Sequence, residues 1–184
     1  MQFDAQDYPY ASKRHVVYAR NGMVCAGNPT ATAAGLKTLL KGGNAVDAAV
    51  TVASTLPVVE PTGNGLGADC FAIIWYKGKM YGLNASGPAP KANSIAALKA
   101  RGYDKIPSYG VEPINVPGAV AGWMAMHERF GSLDLEEVMK PAIEYAENGF
   151  PVSPNISRLW EEAWGIYSKY RDRPEFAGWF ETFA

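Results

Sequence analysis

The segment from Asn28 to Pro61, NPTATAAGLKTLLKGGNAVDAAVTVASTLPVVEP, constrains the fold more than any other part of this chain. It joins two signalled helices through Gly42-Gly43 and delivers the second into a glycine-rich loop. Asn28 can cap the first helix, Pro29 stands where a missing N–H costs nothing, and Gly42-Gly43 supply the stop that a helix C-terminus favours. Asn44 starts the second helix. From Ala45 to Leu56 its only charge is Asp47, and small or apolar residues on nearly every face predict a helix buried inside a domain. Asp47 sits three residues after Asn44, where a carboxylate meets unpaired N–H groups and the positive end of the helix dipole. A structural cap is therefore favoured over a catalytic role.

Around this pair the chain alternates short strands and helices. Val16–Arg20 and Met23–Ala26 are expected as strands joined at Asn21-Gly22, a dipeptide suited to a tight hairpin. Cys70–Tyr76 and Lys79–Leu83 make a second hairpin around Lys77-Gly78, and CFAIIWY is apolar enough to predict burial on both faces. Ser94–Ala100 is a short helix capped by Ser94, and Pro107–Pro117 is a loop. Gly118–Phe130 returns to helical period with Val120, Trp123, Met124 and His127 on one face. Asp134 and Glu137 have capping-box spacing before a helix that Pro141 should kink or split and that Asn148-Gly149 ends. A last helix carries Leu159, Trp160, Trp164 and Tyr167 to about Tyr170, followed by an aromatic cluster at Phe176, Trp179, Phe180 and Phe183. That cluster is apolar enough to need a covering partner.

The strings GGNAVDAA, VVEPTGNGLGADCF, NASGPAP, INVPGAVAGW and KPAIEYAENGFPVS, in this order over roughly residues 14 to 155, resemble the N-terminal half of a γ-glutamyltranspeptidase. Sequence pattern alone supports only a mixed α/β or α+β chain. The resemblance implies an α+β N-terminal nucleophile hydrolase, a four-layer αββα sandwich, of which residues 1–184 are the N-terminal part of the large subunit with no internal domain boundary. It further implies a self-cleaving precursor whose small subunit begins with a threonine that is both nucleophile and, through its amine, base. No catalytic residue is expected in this chain, which should be inactive alone; the threonine should lie downstream of residue 184. The expected partners are the remainder of the precursor, including the small subunit, and a small γ-glutamyl or other acyl amide such as glutathione. A homo-oligomer is compatible with this reading, and no metal or organic cofactor is implied.

Two loops are the candidate site. The first, EPTGNGLGADC from Glu60 to Cys70, contains Asn64, Gly65 and Gly67, whose backbone can approach another group closely; a site-wall role is expected. A phosphate cradle is disfavoured, because neither the Lys-Ser/Thr continuation of a P-loop nor the strand-before, helix-after order of a dinucleotide fingerprint is present. The second is the turn Asn84–Pro90. In transpeptidases the matching turn holds an arginine, whose guanidinium fork suits the α-carboxylate of a γ-glutamyl group. Here the matching positions are Ser86, Gly87 and Pro88, and the nearest cation, Lys91, offers a point charge without a fork. This departure puts γ-glutamyl specificity in question and leaves a non-glutamyl acylase as an alternative. His127, on an apolar face, is expected as a satisfied core histidine, His15 as exposed, and a Glu60–Asp69 acid/base pair is disfavoured.

Composition narrows the remaining classes. With 17 basic and 18 acidic residues there is no field to attract nucleic acid or an anionic membrane. No apolar run approaches the ~20 residues that span a bilayer. Cys25 and Cys70 fall in apolar strand-like segments and are expected as free buried thiols. MQFDAQDYPYASKRH lacks the basic start and apolar core of a secretory signal, so the expectation is a cytoplasmic protein, or an exported one whose leader lies outside this sequence. Two rivals remain: a catalytically silent homologue acting as a binding scaffold, and an unrelated small-molecule binding domain.

Overall fold

The computed structural model describes residues 16–183, so the N-terminal stretch MQFDAQDYPYASKRH, His15 included, lies outside the described residues. Helices α1 (Pro29–Leu40) and α2 (Ala45–Val59) precede a hairpin of β1 (Cys70–Tyr76) and β2 (Lys79–Ala85), followed by α3 (Ile95–Ala100), α4 (Ala119–Phe130), α5 (Leu135–Asn148), α6 (Pro154–Tyr167) and α7 (Ala177–Phe183). Short 3-10 turns at Ser168–Tyr170 and Pro174–Phe176 link α6 to α7.

The α1–α2 junction forms as the residues dictate. Asn28 Oδ1 accepts from Thr30 N, Gly42 takes a φ of +94°, and Gly43 N donates to Thr38 O, closing α1. Asn44 and Asp47 then form a reciprocal capping box at the start of α2. Gly35 lets the two helices touch, since a Cβ there would lie 2.6 Å from Val52 Cγ2. A hydroxyl thread ties three helices. Thr38 and Thr51 share a 2.9 Å hydrogen bond, and Thr51 Oγ1 donates to Val138 O of α5. Buried hydroxyls keep their hydrogen bonds here, as they must to avoid a desolvation cost.

The core lies between α2, α4, α5 and the inner face of the hairpin. Val46, Val50, Trp123, Met126, Phe130 and Val138 pack against Cys70, Ala72, Ile74, Tyr76, Tyr81 and Leu83. The hairpin is antiparallel with Cys70 opposite Ala85 and Tyr76 opposite Lys79, and Lys77 and Gly78 both take positive φ in the two-residue turn, the geometry that matches strand twist.

Several expectations change. Val16–Arg20 and Met23–Ala26 form no strands; among the described residues they have no ladder partner. Strand β1 is buried on one face only. Its other face leaves Phe71, Ile73 and Trp75 63–82% exposed, because apolar composition reports what a strand could bury and a neighbour decides what it does bury. Helix α4 buries Ala119, Gly122, Trp123, Met126 and Phe130, while Val120 and Met124 point outward. Asp134 makes no side-chain cap, and Glu137 pairs instead with Lys41 at 2.7 Å. Pro141 does not split α5, and α2 runs on through Pro57. Cys25 is exposed and Cys70 half-buried, both as free thiols.

Candidate functional site

The Ser86–Pro88 turn is shaped by three glycines that admit no side chain. At the end of β2, Asn84 Oδ1 accepts from Ser86 N at 3.0 Å, which turns the chain. Gly87 takes a φ of +76°, and a Cβ on it would stand 1.7 Å from Val116 O. Across the junction, a Cβ on Gly118 would stand 2.1 Å from Ala85 O, and one on Gly122 would lie 2.8 Å from Ala85 Cβ. Backbone hydrogen bonds lock this contact. Val116 N donates to Pro88 O, while Gly118 N and Ala119 N both donate to Ala68 O. The end of the glycine loop, the Ser86–Pro88 turn and the start of α4 thus meet backbone to backbone.

The meeting point is a shallow dish of about 510 Å³ lined by Asn84, Ala85, Ser86, Gly87, Pro88, Pro117, Gly118 and Ala121. None of these lining residues is charged. The dish offers a hydroxyl, an amide and backbone groups, whose chemistry is hydrogen bonding and not ion pairing. Pro117, Gly118 and Ala121 were not among the residues expected in the site; the glycines of VPGAVAGW were the available signal, since glycine permits such close backbone approach.

The other expected residues lie elsewhere. Lys91 is exposed in the turn after Pro90 and is not part of the dish wall. Asn64 and Gly65 line a separate, larger cavity, and Gly67 has open space around it. Ala68 is the link between the loop and the dish. Glu60 and Asp69 share no hydrogen bond or ion pair among the described residues; the Glu60 carboxylate lies beside Gly27, 3.4 Å from where a Cβ would be.

Asp47, His127 and Ser132 come together, but not wired for nucleophilic catalysis. Asp47 is fully buried and accepts from Asn44 N at 2.8 Å, from Ser132 N at 3.0 Å and from Ser132 Oγ at 2.6 Å. Burial pushes its pKa up, yet the hydrogen bonds from Ser132 and Asn44 outweigh this and the net shift is downward. His127 Nε2 faces Leu133 O at 2.9 Å and is 3.9 Å from Asp47 Oδ1. The serine hydroxyl thus addresses the carboxylate, not the imidazole, and the trio fastens α2 to the α4–α5 turn. The expected cap and the satisfied histidine are both found.

Burial and the nearby Asp69 charge push the Cys70 thiol pKa up, which keeps it in the less nucleophilic protonated form. Among the described residues no group of three or more His, Cys, Asp or Glu side chains is placed to hold a metal ion, and no helix is long and apolar enough to cross a membrane.

Residues 31–184 match the model of the gamma-glutamyltranspeptidase family. The glutathione hydrolase-like YwrD proenzyme of Bacillus subtilis is 40% identical over 145 residues, covering 76% of this chain and 27% of its own length. The acylase ACY 1 proenzyme of Pseudomonas sp. strain SE83 is 37% identical, covering 74% of this chain and 26% of its own. Among solved structures, a cephalosporin acylase from Bacillus halodurans superposes with a TM-score of 0.90 at 47% identity, over 100% of this chain and 34% of that one. The chain therefore spans about a quarter to a third of the length of these relatives.

Proposed function

This chain belongs to the gamma-glutamyltranspeptidase family, and from that premise we propose that it forms part of a self-processing enzyme that transfers or hydrolyses acyl groups at amides, with an acyl group that needs no carboxylate clamp. Its fold is that of the N-terminal nucleophile hydrolases, to which it contributes helices and two strands. In the proposed reaction a threonine outside this chain attacks the amide carbonyl, the amine departs, and water or a second amine releases the acyl group from the ester. The partner that supplies the threonine is the small subunit of the same precursor. The present chain supplies walls for the substrate.

One observation carries the choice of substrate: the dish at Ser86–Pro88 has no cationic lining residue. A bidentate guanidinium–carboxylate pair gives geometric specificity as well as charge neutralisation, and neither is available from these side chains. Names such as glutathione hydrolase and cephalosporin acylase show that related chains serve different acyl donors, in line with specificity residing in this turn. Ser86 and Asn84 would then orient a neutral acyl group.

The test uses the processed full-length protein. We expect kcat/KM for a γ-glutamyl anilide and for the matching anilide lacking the α-carboxylate to agree within about threefold, because no charge-assisted pair separates them. A preference above about a hundredfold for the γ-glutamyl compound would overturn the reading and place the clamp on another residue, with Lys91 the first to replace. Absence of any turnover after cleavage would favour the silent scaffold.

A further inference from the structure

A closed ring of hydrogen bonds joins the two segments that form the dish. Asn93 Nδ2 donates to Glu112 O at 2.9 Å, Arg101 Nη2 donates to Asn93 Oδ1 at 3.2 Å, and Arg101 Nη1 donates to Glu112 Oε1 at 3.4 Å. Each member is fixed to its own stretch of chain. Asn93 N donates to Pro90 O, at the end of the turn that makes one wall of the dish. Arg101 closes α3, where its Nε donates to Ala97 O. Glu112 stands four residues before Val116, whose N–H donates to Pro88 O and which leads into Pro117 and Gly118 of the opposite wall. None of the three ring residues lines the dish itself.

The Glu112 carboxyl is poorly served where it stands. Its side chain is 8% exposed, Oε1 has one long contact, and Oε2 has no hydrogen-bond partner among the described residues. Gly110, at a φ of +118°, makes room for it, since a Cβ there would lie 3.1 Å from Oε2 and 2.7 Å from Arg173 Nη2. The Arg173 guanidinium is engaged by Glu175. Desolvating a carboxyl for so few bonds is unfavourable, and an apolar side chain of similar size would serve stability as well or better. What the carboxyl supplies is a fixed spacing between two segments. We propose that Asn93, Arg101 and Glu112 are positioning residues, whose ring holds the Asn84–Pro90 turn against the segment entering α4 and so sets the distance between the walls of the dish. This role rests on the reading of the dish as the acyl site.

The experiment uses the processed full-length protein and the variants Glu112→Met, Glu112→Gln, Asn93→Ala and Arg101→Met. Hydrogen-exchange mass spectrometry of the peptide carrying Val116 should show exchange about three- to tenfold faster in all but Glu112→Gln, whose amide oxygen still accepts from Arg101 and which should stay within about twofold of the parent. For the anilide lacking the α-carboxylate, the same three variants should raise KM about threefold or more with kcat within about twofold. The thermal midpoint of Glu112→Met should hold, because Arg101 is half exposed and water solvates it. A fall of more than about 4 °C would assign the carboxyl to stability and overturn the proposal. Unchanged exchange in the folded variants overturns it as well, and Arg101→Met, on an exposed residue, decides if Asn93→Ala does not fold. Faster exchange with unchanged KM, while Ala121→Leu inside the dish raises KM, overturns the positioning role. If Ala121→Leu also leaves KM unchanged, the acyl-site reading of the dish fails, and the ring stands or falls on exchange alone.

Discussion

Replacing Asp47 with alanine removes a side chain that, beside Asn44 with its 2.6 Å hydrogen bond to Phe130 O, fastens the start of α2 to the α4–α5 turn. Its carboxylate accepts from two backbone amides, Asn44 N and Ser132 N, and from the Ser132 hydroxyl. Ser132 is exposed, so water replaces much of what it loses. Loss of the cap costs about 0.5–2 kcal/mol, and a donor left unpaired in a half-buried setting about 1–3 more. We expect a total of about 2–4 kcal/mol, with Asp47→Asn intermediate because an amide oxygen still accepts from one donor. Hydrogen exchange of α2 amides in the full-length protein reads this locally, and the expected acceleration is about 30- to 700-fold. The folded pKa of Asp47 lies below its ordinary value of 3.8, so its contribution is fully present above that value and is lost as pH falls through the lower folded one. Protection of α2 in the parent protein should accordingly be flat at neutral pH and decline only in strong acid. Asp134→Ala serves as the control, since Asp134 makes no side-chain cap. Exchange within threefold of the parent for Asp47→Ala, or an equal effect from Asp134→Ala, would refute the reasoning.

Gly118→Ala should destabilise by about 1–3 kcal/mol or more and distort the dish, whereas Gly67→Ala, with nothing within 4 Å of its Cβ position, should be far milder; thermal midpoints and activity of the mature protein compare them. On α2, Ala48→Leu should overpack a site that is 3% exposed at a cost of about 1–3 kcal/mol, while Ala49→Leu, on an exposed position, should cost less, as denaturant midpoints would show. Expressed by itself, the 184-residue chain should self-associate through Phe71, Ile73, Trp75 and Met80, and Trp75→Lys should reduce this in light scattering. A monodisperse parent chain with sharp near-UV circular dichroism would argue that this face is tolerated in water.

The helices and their ends were legible in the sequence because their causes are local. Asn28, Asn44 with Asp47, Ser94 and Gly42 act within one turn, through side-chain caps and a permissive φ, and each appears in the structure where the chain places it. The Lys77-Gly78 hairpin is equally local. Asn21-Gly22 carries the same turn signal and yet no ladder forms, because a strand exists only if a partner supplies its hydrogen bonds. The exposed side of β1 has the same origin, since CFAIIWY states a capacity for burial that only a neighbour realises. In the candidate site, the sequence disclosed the absence of a cation at Ser86–Pro88, a matter of residue identity. It could not disclose that Gly87 and Gly118 interlock, that Ala68 joins the glycine loop to the turn, or that Asn64 and Gly65 face a different cavity. Those facts depend on which backbones meet across tens of residues, and that is decided when the core packs α4 against the hairpin, by contacts that no local pattern encodes.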